Sequence, residues 1–129
     1  MKKPLPAERR QAPRVEKGLS LQLTSRDFDL TTETKNVSAR GVYCRIKCHI
    51  PFMTKLKVAL LVPVQQGRRT VLHPVRGDAR VVRSESQIIQ NGQERHFVAL
   101  YFEKMKPSDR LCLERYVQAA LARPLVSQR

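Results

Sequence analysis

Tryptophan is absent from this 129-residue chain, and aromatic residues of every kind make up only 5% of it. A core drawn from such a sequence must be mostly aliphatic. The shortage also counts against a surface of stacked rings for unpaired bases. Long apolar runs are missing too. The longest, residues 58–64, is interrupted by Pro63 and is far too short to span a bilayer as a helix. The basic start, Met1-Lys2-Lys3-Pro4-Leu5-Pro6, has no apolar segment behind it, so it does not read as a signal peptide. A cytoplasmic protein with no membrane insertion is expected. Cysteine is scarce: there are three, and none forms a Cys-x-x-Cys pair. Cys44, Cys48 and His49 match no familiar zinc spacing, so reduced thiols and no metal are expected. Acidic residues are few, 11 against 25 Lys and Arg, which leaves a formal charge of +14. That excess makes a polyanionic partner plausible: nucleic acid, an acidic membrane face or a phosphorylated ligand. The plain alternative is a basic surface that serves solubility.

The length fits one domain, and hydrophobic residues at 41% are enough for a core without disulfide staples. Residues 1–13 hold three of the eight prolines together with Lys2, Lys3, Arg9 and Arg10, and show no periodicity. They read as a flexible basic arm. A folded unit is expected over residues 14–122, followed by a short tail at 123–129.

Within that unit the period is two. Leu19, Leu21 and Leu23 alternate with polar residues, as in a half-buried strand. Residues 26–29 are turn material, and residues 31–37 suit an exposed strand. Val42, Cys44 and Ile46 alternate with Tyr43 and Arg45. Residues 55–62 place Leu56, Val58, Leu60 and Val62 on one face. A polar turn at 65–69 leads into a long strand over 70–83, with breaks expected at Pro74 and Gly77 and a bulge at the glycine. Asn91-Gly92 is a strong hairpin signal, joining residues 81–89 to 96–102. The last strand is apolar on both faces, which suits a central or covered position. Then the period changes. Pro107 can open a helix, Asp109 sits near its positive end, and Leu113, Val117, Ala120 and Leu121 fall on one side before Pro124 stops it. The pattern predicts an all-β fold with a terminal helix: a six-stranded antiparallel β-barrel plus a C-terminal α-helix flanking or plugging an open end.

Two short motifs carry the chemistry. Arg10-x-x-x-Arg14 lies at the end of the arm, and Asn36-x-Ser38-x-x-Gly41 forms a turn between two strands. A guanidinium donates two parallel hydrogen bonds to a phosphate or to the O6/N7 edge of guanine. Asn36 offers a donor and an acceptor, Ser38 a rotating hydroxyl, and Gly41 permits positive φ and close approach of backbone to ligand. Such a set can hold a base and a phosphate but supplies no nucleophile and no acid–base pair. The arginine spacing is weak evidence alone: with 16 arginines it is expected about twice by chance, and Arg76 and Arg80 repeat it on what reads as a solvated face. The turn carries more weight, at roughly one chance occurrence in a hundred such chains. His49, His73 and His96 show no evident partner carboxylate or nucleophile, so no enzyme is expected.

These two motifs, in this order, resemble the PilZ domain, the bacterial receptor for cyclic di-GMP. The resemblance spans residues 8–121, including the strand series and the Pro107-Ser108-Asp109-Arg110 helix start. It implies a six-stranded barrel with a C-terminal helix and cyclic di-GMP as ligand. Arg10 and Arg14 would grip guanine and phosphate, Asn36 and Ser38 would contact guanine, and Gly41 would shape the loop. Arg9 would stack on a second guanine of an intercalated dimer. Binding would draw the arm against the barrel and alter a surface seen by a separate protein partner. The alternative is a small barrel that binds single-stranded nucleic acid, which the charge favours and the lack of aromatics disfavours.

Overall fold

Strand alternation in the sequence becomes seven antiparallel strands and one helix in the computed structural model, which describes residues 12–122. The arm residues Arg9 and Arg10, the tail at 123–129 and the stop at Pro124 lie outside the described residues. The strands are β1 (Arg14–Val15), β2 (Ser20–Thr24), β3 (Asp29–Ser38), β4 (Gly41–Ile46), β5 (Lys55–Gln66), β6 (Arg69–Ile88) and β7 (Glu94–Met105). Helix α1 runs over Pro107–Ala122. The order across the sheet is β1-β3-β2-β5-β6-β7-β4, and a further pairing of β3 with β4 closes six of the strands into a ring. The expected count of six is thus corrected to seven. The extra strand is the two-residue β1, too short to leave an alternating pattern in the sequence.

The ring interior is aliphatic. Leu21, Leu23, Leu60, Val62, Val75 and Val81 are fully buried, and Phe102 of β7 is the largest side chain among them. Leu113 and Val117 of α1 enter the same cluster, with Cys112, Tyr116 and Ala120 packed at its margin. Each such side chain contributes about 1.5–3 kcal/mol on burial. Leu121, expected on the buried side of the helix, is exposed. Thr34 is a buried polar residue whose needs are met: its hydroxyl donates to the Lys17 carbonyl (2.6 Å) and accepts from the Leu19 amide (2.9 Å). That pair of bonds ties the β1–β2 connection onto β3.

The expected break at Pro74 does not occur. Strand β6 runs unbroken for 20 residues. Its pairing with β7 begins only at Gly77, so residues 69–76 have β5 on one side and no described strand on the other. A proline is tolerated at such an edge, where a missing N–H removes no second ladder. Around Gly77 the bend does appear. Register shifts fall between Asp78 and Ala79 and between Val81 and Arg83, and a Cβ at Gly77 would collide with the Lys104 carbonyl of β7. The Asn91-Gly92 hairpin forms as expected, with Gly92 at φ 84° and the Ile89 amide donating to the Gln93 carbonyl. Strand β7 lies between β6 and β4, the central position that its two apolar faces implied.

Candidate functional site

The turn between β3 and β4 is built around Ser38. Its hydroxyl accepts hydrogen bonds from the amides of Arg40 and Gly41, each at 3.1 Å, and lies 3.3 Å from the Gly41 carbonyl, to which it can donate. Ser38 is 6% exposed. The hydroxyl expected to reach a ligand is therefore engaged inside the turn, as in other turns where serine replaces a backbone contact. Two further bonds fix the loop. The Phe102 amide donates to the Arg40 carbonyl (2.8 Å), and Arg110 of α1 reaches the Ala39 carbonyl (3.3 Å).

Gly41 has another role than the expected one. Its φ is not in the positive region. A Cβ there would run into the Leu100 carbonyl of β7, so the glycine is required by close approach of two strands rather than by turn conformation.

A register shift in β3 between Thr34 and Asn36 places Asn36 opposite Tyr43 of β4. Thr34 and Val37 both face the core, three residues apart, which strict alternation forbids. The bulge absorbs the odd residue and turns Asn36 to the outer face. Strand β1 arrives on the other side. Val15 is buried opposite Val37, and this places Arg14 opposite Ser38 with its side chain exposed.

The result is a groove of 330 Å³ that brings together Arg14, Asn36, Ser38 and Gly41. Arg40, Tyr43, Val82, Ala99 and Tyr101 are among its other lining residues, and motif reading did not identify them. The signal for Tyr43 was available, since it alternates with the buried Val42 and Cys44. Val82 had none, because it sits in the second register shift of β6. Tyr43 is held in place: its ring stacks on Phe97 at 5.7 Å, and its hydroxyl donates to Glu85 (3.0 Å). Burial raises the phenol above its ordinary pKa, and the Glu85 hydrogen bond adds to this. Tyr43 therefore stays neutral at physiological pH. Arg9 and Arg10 lie outside the described residues.

The remaining candidate groups fall elsewhere. Cys44 is buried and its thiol is pushed up to about 12 by that burial, so it is inert. Cys48 is exposed, and no His/Cys/Asp/Glu cluster suited to a metal exists among the described residues. The expectation that the histidines lack carboxylate partners is corrected for two of them. His73 lies 3.1 Å from Asp109, and His96 lies 3.7 Å from Glu94. Asp109 is 36 residues from His73 in sequence, too distant for a spacing argument. No helix among the described residues is long and apolar enough to cross a membrane.

The family model of the PilZ domain matches residues 8–119. Solved structures similar to this fold include the inhibitor of motility MotI/DgrA of Bacillus subtilis. It has a TM-score of 0.70 and 19% identity over 94% of this chain and 53% of that one. The PilZ domain of YcgR from Escherichia coli, solved with c-di-GMP, has a TM-score of 0.61 and 12% identity over 88% and 92%. MrkH of K. pneumonia in its apo state has a TM-score of 0.64 and 15% identity over 100% and 54%. The chain thus spans about half the length of MotI and MrkH. No curated protein sequence gives a significant match.

Proposed function

The chain belongs to the PilZ domain family, and from that premise we propose that it is a receptor for cyclic di-GMP that acts as an effector or adaptor rather than as an enzyme. One observation carries the reading. Strand pairing sets Arg14 opposite Ser38, on the groove that Asn36, Gly41 and Tyr101 also line. A guanidinium and an amide there supply the charge-assisted and base-edge hydrogen bonds that a guanine nucleotide needs. Arg9 and Arg10 precede Arg14 in the sequence and close the site from the arm, which changes position as the ligand is bound. That movement is read by a separate protein, in the cytoplasm.

In this reading the parts divide the work. Arg14 and the arm arginines grip phosphate and guanine. Asn36 reads the base edge. Ser38 and Gly41 hold the turn, Ser38 through its bonds to the Arg40 and Gly41 amides and Gly41 by letting β4 approach β7. Tyr43 and Tyr101 supply apolar surface beside the base.

Isothermal titration calorimetry with cyclic di-GMP tests this. Micromolar or tighter binding is expected for the wild type. Arg14→Ala is expected to weaken it by about tenfold or more, through loss of a charge-assisted pair, with unchanged melting temperature because Arg14 is exposed. Ser38→Ala is expected to lower both affinity and stability, the latter by about 1–2 kcal/mol, as two part-buried bonds from the Arg40 and Gly41 amides are lost. No heat of binding in the wild type would overturn the reading. Hydrolysis of the dinucleotide with magnesium or manganese would overturn the non-enzymatic part.

A further inference from the structure

A second and larger concavity, 930 Å³, lies across the outer faces of β2, β5 and β6 and meets the end of β7 and the start of α1. It shares Thr24, Lys57, Asp78 and Lys104 with a 520 Å³ extension toward Arg26 and Lys55. Together they form one trough. Its cations are numerous and exposed. Arg26, Lys55, Arg76, Lys104 and Lys106 line it, and none makes a salt bridge with a described carboxylate. The three carboxylates in the trough are already engaged. Asp78 takes Lys57 at 2.8 Å, Glu103 takes Arg80 at 2.6 Å, and Asp109 takes His73 together with the Arg76 amide at 3.1 Å. The floor between the charges is apolar, formed by Ala59, Pro74 and Met105.

None of this charge is needed by the nucleotide groove, whose lining does not include these residues. The composition also selects among polyanions. A single-stranded nucleic acid asks for rings to stack on, and the trough lining contains no Phe, Tyr or Trp. A continuous phosphate track asks for unmixed positive charge, whereas Asp78 and Glu103 interrupt this one. An apolar floor inside a charged rim is instead the layout of a protein interface. We propose that the trough docks an acidic segment of a separate protein, with carboxylates set on the free cations and an apolar side chain on the Ala59–Pro74–Met105 floor. This rests on the reading of the chain as an effector with a protein partner, and it names that partner's docking chemistry. The first turn of α1 joins the two sites: Asp109 lines the trough, and the adjacent Arg110 holds the Ala39 carbonyl of the nucleotide turn.

The probe is a fluorescein-labelled peptide rich in Glu and Asp with a central Leu. Its binding to the full chain is followed by anisotropy at low salt, beside a single-stranded DNA oligomer of equal charge. Lys55→Glu/Lys104→Glu reverses charge in the trough. Arg68→Glu/Arg69→Glu makes the same net change at the distant β5–β6 turn. The trough variant is expected to lose about tenfold in peptide affinity and the turn variant less than about twofold, since local complementarity outweighs net charge. Equal losses in the two variants would overturn the proposal, as would absence of peptide binding. Tighter, trough-dependent binding of the DNA oligomer would overturn it in favour of a nucleic acid. Cyclic di-GMP calorimetry on the same variants separates the two readings. Retained nucleotide binding without trough dependence removes only the docking site, and trough dependence without nucleotide binding removes only the receptor.

Discussion

Gly41 carries a hydrogen where any other residue would push a carbon into the Leu100 carbonyl. The backbone of β7 is paired on both sides and cannot retreat, so the strain has no outlet. Gly41→Ala is expected to destabilise the fold by about 2–3 kcal/mol, as an overpacked site does, and a urea melt measures it. Loss of nucleotide affinity should accompany it, because the Gly41 amide also holds Ser38. The motif reading tied this glycine to positive φ, which its backbone does not adopt. A glycine in a polar turn suggests positive φ; only the β4–β7 register reveals that the constraint comes from a strand some sixty positions later. The same limit hid the His73–Asp109 pair.

At the scale of elements, that pair adds a polar link between helix and sheet to the packing of Leu113 and Val117. Asp109 is 5% exposed, and its oxygens receive the Arg76 amide and face His73. Burial by itself raises the Asp109 pKa. The Arg76 and His73 hydrogen bonds outweigh that and hold the carboxyl below its ordinary value. The sign follows. A carboxyl depressed in the folded state adds stability above its unfolded pKa of about 3.9, and that stability is lost as pH falls through the folded value. Asp109→Asn is therefore expected to be less stable than wild type at neutral pH, with the difference shrinking below about pH 4. Melting temperatures taken from pH 7 down to the acid limit check this; a gap that stays constant through that range contradicts it. The elements themselves were largely legible. Period-two alternation locates β2, β4 and β5 because one face of each meets the aliphatic interior, the Asn91-Gly92 hairpin signal and two apolar faces locate β7, and the change of period at Pro107 marks α1. What was illegible is equally physical. A two-residue strand has no period, and a bulge such as that between Thr34 and Asn36 spoils parity where the site needs it. Leu121 fits the helical face by spacing, yet it is exposed while Ala120 beside it packs against the core.

At the scale of the whole molecule, two concavities open on one ring of strands. Arg14, Asn36, Ser38 and Gly41 meet at one because β1 and the β3–β4 turn are brought together by pairing with β3. The arginine–turn combination was visible in the sequence; the aromatic and aliphatic wall of the groove, from Tyr43 to Tyr101, had to wait for the topology. The trough gathers six of the 25 Lys and Arg side chains on another face of the ring. Past the ring, β5 and β6 run on as a ribbon, whose Pro74 also lines the trough. Pairing of β2 with β5 ends at Leu60 and that of β7 with β6 at Gly77, and the ribbon carries Pro63 on one strand and Pro74 on the other. An open strand edge invites a second molecule to add to it, and proline withholds the donor such addition needs. The two prolines are thus expected to disfavour strand addition between copies of the chain. Pro63→Thr/Pro74→Thr is expected to leave the ring folded and to drive concentration-dependent self-association, seen as rising light scattering, whereas a variant that stays monodisperse would leave the ribbon's solubility to the charges of Arg68, Arg69 and Arg76.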